Sequence, residues 1–516
     1  MIILLLQVIN VTIVPNDSFT ALNYIITNLK GNVLNLTHNY QYYDAYDSGF
    51  INKEITLNKY IVINGNGYTI DAKNKLRIFK ITANNVVINN LTFTQGYTTG
   101  EGGALYITGN YVTLSHTTFK TNKAPNNHAG AIYWSGSHGN ITYSKFESNS
   151  AKYGGAIFLI GSNFVISHSI FKSNTGVDYC GAIVSNSPSS TLINVIFQSN
   201  SAKKDGAIGL GSSGHFDFFD CTFDQNKATN GLGGAITANT DVTVNVVRCI
   251  FKSNTATSDA GALYIASKNG VILNSTFNSN TASRGGAVFV SGQNVLVNNS
   301  KFNSNQVKSG DAMGGAIYCG GNYAKIFNSD FKNGYAKSGS DYGNGGAIFV
   351  ICNEVEIKYC NFSNNIVHNH DGGALYLHID HKNMVISDCR FINNYAQWVG
   401  AAVCCFGTNI VFKNSYFQGN NNSNAAHKEY YGGALAFRDH GYNSVINCTF
   451  VNNKNYEGGA IRIHANAPGI KIYNSTFIKN SCPVSGGAIS CIATGLVIDN
   501  CSFTENKGKS GGAIYS

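Results

Sequence analysis

The sequence predicts an all-β chain, a right-handed parallel β-helix (β-solenoid) with a short N-terminal capping helix. Three observations predict it. The phrase Gly-Gly-Ala followed by Ile, Leu or Val recurs in 16 copies from Ala104 to Ala513, most of them 25 to 29 residues apart. A period of this size marks a solenoid. A second phrase, Phe-x-x-Asn, precedes the copies, from Phe119 with Asn122 to Phe503 with Asn506. Before each Phe lies a short run rich in β-branched residues, such as Val271-Ile272-Leu273, bounded by Gly, Asn and Ser. That is the pattern of strands and turns.

The elements follow in chain order. Residues 1–50 read as an N-terminal cap region. Its first stretch, Met1 to Ile9, is apolar and lacks the basic flank of a signal peptide. It is either a signal remnant spanning 1–14 or a first strand. Asp17 or Ser18 then caps a helix over about 18–29, with Phe19, Leu22, Ile25, Ile26 and Leu29 on one face. Such a helix covers the open end of a solenoid core. Residues 51–516 form the repeats, and Ile61 to Asp71 reads as an early coil turning at Asn66-Gly67.

Within a repeat the positions sort by face. The residue after the motif Ala is aliphatic, as at Leu105, Ile132 and Ile157, and two residues on the chain is again mostly apolar, as at Ile107, Trp134 and Leu159. Side chains alternate across a strand, so both face inward. The Phe of Phe-x-x-Asn is a third inner column. A small residue two positions before it, such as Ser144, Cys221 or Cys249, lets the layers interdigitate. The Gly pair suits a corner needing positive φ or close backbone approach. The Asn column suits a ladder of side-chain amides that satisfies backbone groups at a bend. Each repeat then holds two or three strands, and the crossover preference makes the coil right-handed. About 16 coils at roughly 4.8 Å each give a rod on the order of 80 Å long.

Between the two inner positions of the motif strand lies an outward one. It carries Tyr106, Tyr133, Phe158, Tyr264, Phe289, Tyr318, Phe349 and Tyr376, and it breaks at Val184, Gly209 and Thr237. This aromatic row is the candidate ligand-binding strip; its structural alternative is a ladder that steadies neighbouring strands. In four motif copies the first Gly is replaced, by Ala129, Cys180, Asp205 and Ala260. His368, His370 and Asp371, with His378, Asp380 and His381 nearby, are weak metal-site candidates, and Arg438, Asp439 and His440 form a second polar cluster. The plain alternative for both is polar loops on a bulging coil, and no metal or other cofactor is expected.

Composition narrows the function classes. Only 12% of the 516 residues are charged, and the net charge of +9 comes mostly from Lys scattered through the repeats. No basic block or nucleic-acid motif is present, so nucleic acid is not an expected partner. Six of the 13 Cys occupy the small inner column where other coils carry Ser or Thr, which favours buried thiols. Cys221 with Cys249, and Cys360 with Cys389, are the pairs that stacking brings near one another. Arg is rare and acidic residues seldom share a column, whereas hydrolases on this kind of frame need paired carboxylates. The expectation is a protein that is not an enzyme.

Gly-Gly-Ala-Ile paired with Phe-x-x-Asn resembles the repeat of chlamydial polymorphic outer membrane proteins. The layout as a whole, with its Asn-rich coils and the Asn16-Asp17-Ser18-Phe19-Thr20 segment, resembles the adhesin-like surface proteins of methanogenic archaea. The resemblance runs from about residue 50 to the end. It implies a secreted, surface-displayed β-helix of the pectate-lyase-like superfold, used for attachment to a host or neighbouring cell surface, a polysaccharide or a surface protein, without membrane insertion by this chain. The alternatives are a polysaccharide lyase or glycoside hydrolase on the same fold, and a structural envelope or stalk segment. The chain stops in mid-repeat at Gly511-Gly512-Ala513 and reads as a fragment truncated at its C-terminus.

Overall fold

The computed structural model describes residues 14–50, 53–211, 213–308, 310–337, 343–378, 382–422 and 432–516. The coil that begins at Leu105 shows the plan. Strands Leu105–Ile107, Thr113–Ser115, Thr118–Lys120 and Lys123–His128 follow one another, and the next coil begins at Ile132. Each strand pairs in parallel with its copy one coil on, Leu105 opposite Ile132 and Phe119 opposite Phe146. Three sheets of 18 strands run the length of the described rod: a motif sheet, a second sheet and a Phe sheet. A fourth sheet of 11 strands closes the coils between Lys123 and Ala396. The architecture is the right-handed parallel β-helix that the repeat predicts. The rod exceeds the expected 16 coils because the motif-sheet strands Ile55–Leu57 and Phe79–Ile81 precede the first Gly-Gly-Ala. The strands also begin earlier than the expected boundary at residue 51, at Val33.

The inner columns form one continuous core. Sixteen Phe rings from Phe93 to Phe503 stack coil on coil, with centroids 4.5 to 5.0 Å apart. The Asn column forms the expected amide ladder. Asn174 Nδ2 donates to Asn200 Oδ1 at 3.0 Å and to the Phe146 carbonyl at 3.0 Å, and its own Oδ1 accepts the backbone N–H of Asn149. A buried bend is thereby satisfied on both its donor and acceptor sides. The ladder breaks once, at Gly334, where Asn305 Nδ2 reaches only the Phe277 carbonyl. At the corner, Gly102 has φ +68°, and a Cβ on Gly103 would come within 2.3 Å of the Gly130 carbonyl oxygen. Both reasons for the Gly pair therefore apply, one at each residue.

The capping helix spans Phe19–Thr27, with Ser18 Oγ accepting from the Ala21 N–H at 3.1 Å. Phe19, Leu22 and Ile26 join the main core. Asp47, fully buried, accepts from the N–H groups of Phe19, Thr20 and Tyr43 and so ties the helix start to the first coil. The proposed signal remnant lies almost wholly outside the described residues. Among the described residues no helix is long and apolar enough to cross a membrane.

Candidate functional site

The aromatic row points outward from the motif sheet, and it is not an exposed strip. Tyr133, Phe158, Phe289, Tyr318, Phe349 and Tyr376 are buried, and only Tyr106 and Tyr264 are partly open. The rings stack on one another, Tyr106 on Tyr133 at 5.1 Å and Phe289 on Tyr318 at 4.3 Å. Stacked rings spend their faces on each other and turn edges outward, leaving no face for a ligand. Residues from the turn before the motif lie over them. The Arg284 guanidinium sits 5.3 Å from the Phe289 ring and 5.5 Å from Tyr318, and Asp259 holds it with two bonds of 2.7 and 2.9 Å. The row is thus a second, narrower core; facing outward on a strand did not mean facing water.

Where the row breaks, the cover is missing and a groove of about 430 Å³ opens. Its floor is Val184, Gly209 and Thr237, the three positions where the row has no ring. One wall is Phe158, the last ring of the lower stack. The other is a rail formed by the residue before the motif: His128, Tyr153, Tyr179 and Lys204, in register on successive coils. The groove runs along the rod axis as a consequence. Leu232, Asn186 and Asn239 also line it.

At the corner between floor and rail stand Cys180 and Asp205, at positions where most copies carry Gly. Their φ values are +54° and +60°, which disfavour a side chain. Backbone strain of this kind collects at functional sites. The Cys180 thiol lies 3.9 Å from Asp205 Oδ2 and donates toward it. Gly209 is required beneath them, since a Cβ there would sit 2.5 Å from Cys180 Sγ. Burial pushes the Asp205 carboxyl up to about 6, against the lowering influence of Thr237, Lys204 and Cys180. Burial likewise raises the Cys180 thiol, so it is not an activated nucleophile. Lys204 Nζ meets the Tyr179 hydroxyl at 3.2 Å. Two features that stand apart in the sequence, the replaced Gly residues and the broken row, coincide in this groove. The rail was the part that sequence reasoning missed, because its residues share a column but no chemistry.

The other candidates fall elsewhere. His370 Nδ1 and Arg438 Nη1 lie 3.5 and 3.7 Å from the buried Asp371 carboxylate, which also accepts from the Val399 N–H. The structure therefore joins the two polar clusters, while His368 stands apart between Tyr335 and Tyr395. Burial raises the Asp371 carboxyl, opposed by His370 and Arg438. His378 packs against the Phe349 and Tyr376 rings, and Asp439 accepts from Asn466. Asp380 and His381 lie outside the described residues. Among the described residues no group of three or more His, Cys, Asp or Glu side chains is gathered as a metal would need. All 13 cysteines are free thiols. Cys221 and Cys249 donate to backbone carbonyls, and Cys319 and Cys352, which stacking did not suggest, approach to 3.5 Å between sulfurs.

No curated protein matches the chain. Among solved structures it is similar to a PL6 alginate lyase in complex with a trisaccharide, at 13% identity over 84% of this chain and 82% of that one, with a TM-score of 0.35. It is similar also to a mannuronic acid specific family 6 polysaccharide lyase from human gut microbiota, at 11% identity over 83% and 86%, TM-score 0.29. The catalytic domain of a GH87 alpha-1,3-glucanase in complex with nigerose matches at 12% identity over 90% of this chain and 67% of that one, TM-score 0.27. At such identities the likeness is one of fold alone. Residues 103–271 and 347–516 match the right handed beta helix region, and the chain belongs to that family.

Proposed function

We propose that the chain is a non-catalytic polysaccharide-binding β-helix, and that a saccharide chain lies along the rod in the groove between Phe158, Gly209 and the rail of His128, Tyr153, Tyr179 and Lys204. The observation that supports it is the coincidence, in one axial groove, of a missing stretch of cover with a desolvated carboxylate held in strained backbone. An axial groove suits an extended polymer, since each coil adds roughly 4.8 Å, close to what one pyranose ring adds to an extended chain. Tyr walls, Asn amides and one carboxylate are the mix of apolar and hydrogen-bonding surface that sugar rings need. Asp205 is the one carboxylate among the lining residues, whereas hydrolysis by the usual route needs two. This favours binding over cleavage. The adhesin-like role is the same reading at the level of the cell: a surface-displayed rod attaching through polysaccharide.

The test restores the repeat. Thr237→Tyr puts into the groove the residue that other coils carry in that column. The variant is expected to keep the wild-type circular dichroism and melting temperature and to lose at least tenfold in retention on immobilised polysaccharides. Retention unchanged in a folded variant refutes the groove. Shortened or unsaturated products from the same polysaccharides would replace binding with catalysis.

A further inference from the structure

We propose that the saccharide this groove selects is carboxylated, a uronate-type polymer, with one sugar carboxylate lodged between Lys204 Nζ and the Asp205 side chain. The inference rests on the groove being a saccharide site and names the class of sugar. It starts from the ionic groups around the groove. Glu101 is matched with His128 at 3.2 Å, and Lys152 faces Asp178 at 4.0 Å. That leaves Lys203 and Lys204, both exposed, against Asp205. Lys204 lines the groove beside Asp205, and its Nζ meets the neutral Tyr179 hydroxyl.

Asp205 decides between a neutral and an acidic sugar. The groups that face it are the Cys180 thiol from the coil before, Lys204 from its own coil, and the Tyr179 and His128 rings of the rail; Thr237 and Leu232 bring no charge from the coil after. Its carboxyl is buried enough to hold a proton up to about pH 6. In that form it is a hydrogen-bond donor facing a lysine, which is what a sugar carboxylate requires: one O–H and one cation. A neutral sugar offers hydroxyl donors and favours the ionised Asp205 instead. The two ligand classes therefore predict opposite pH dependences. A uronate shares one proton with Asp205 and binds more tightly as pH falls through 6; a neutral sugar binds more tightly as pH rises. From pH 7.5 to 5 the gain for a uronate approaches about thirtyfold, the change expected for one proton taken up near pH 6.

The experiment measures binding of the whole chain to polygalacturonate, dextran sulfate and dextran at pH 5 and pH 7.5 and fixed ionic strength, for wild type, Asp205→Asn and Lys204→Gln. The expected result is preference for polygalacturonate, an increase of about tenfold or more on acidification, loss of that pH dependence in Asp205→Asn, whose amide donates at either pH, and weaker binding in Lys204→Gln. Dextran bound as tightly, dextran sulfate preferred, or affinity rising with pH would overturn the choice of sugar. If dextran binding is then abolished by Thr237→Tyr, the groove stands and only the acidic class falls; if none of the three polymers binds wild type, both fall.

Discussion

Asp205→Asn should stabilise the rod at neutral pH and leave it unchanged in acid. The carboxyl is raised from 3.8 to about 6, so it binds its proton more tightly folded than unfolded. Below pH 3.8 both states are protonated and the burial is harmless. Between 3.8 and 6 the unfolded chain gives up the proton first, and stability falls as pH rises; above 6 the whole penalty is present. A shift of about 2.2 units at 1.36 kcal/mol each amounts to about 3 kcal/mol. Asn keeps the size of Asp and tolerates the left-handed φ equally well, so the substitution isolates the charge. The assay is urea unfolding of both proteins at pH 3.5, 5 and 7.5, with hydrogen exchange of the segment around 200–211 to localise the change, because a long rod need not unfold in one step. The midpoint difference should be near zero at pH 3.5 and largest at 7.5. A difference independent of pH, or larger in acid, would refute the assignment of Asp205 as a desolvated carboxylate.

Other perturbations test the rest of the structure. Arg284→Ala should cost about 2 kcal/mol, seen in urea unfolding, because it strips two hydrogen bonds from the nearly buried Asp259 and uncovers Phe289 and Tyr318. Asn200→Ala should cost about 3 kcal/mol or more, since it unpairs the Phe171 carbonyl and both donors of Asn174 inside the core. The check is faster hydrogen exchange in the coils on either side. Phe349→Ser, at a fully buried ring stacked 5.3 Å from Tyr318 and 5.2 Å from Tyr376, should destabilise by about 3 to 5 kcal/mol in thermal melts, the behaviour of a core residue and not of a surface contact.

The fold was legible because the repeat states it many times over. Leu105 and Ile107, Phe119 and Asn122 each recur in column, and any one copy could have been misread without harm. The groove was legible in parts. Asp205 and Cys180 stood out as substitutions in the motif, and Val184, Gly209 and Thr237 as gaps in the row, but nothing local links position 205 to position 158 or 237. Only the coil geometry does. The burial of the aromatic row was not legible, because what covers it, Arg284 and its neighbours, comes from a turn whose path the strand pattern does not fix. His128, Tyr153, Tyr179 and Lys204 failed to register for the opposite reason: they share a position and nothing else, and a column is noticed by its sameness.

The missing rung at Gly334 has a mechanical meaning. Coils elsewhere are joined by backbone bonds and by side-chain amides in parallel, but between the coils of Asn305 and Gly334 the amide is absent while the Tyr335 N–H still reaches the Asn305 carbonyl. A rod tugged from its two ends carries the same tension through every coil, and it yields where the fewest bonds share the load. The single Gly thus sets a parting plane, with the groove coils on one side of it and the Asp371 cluster on the other. Force on a tethered polysaccharide would open that seam before it reached the coils that hold the sugar.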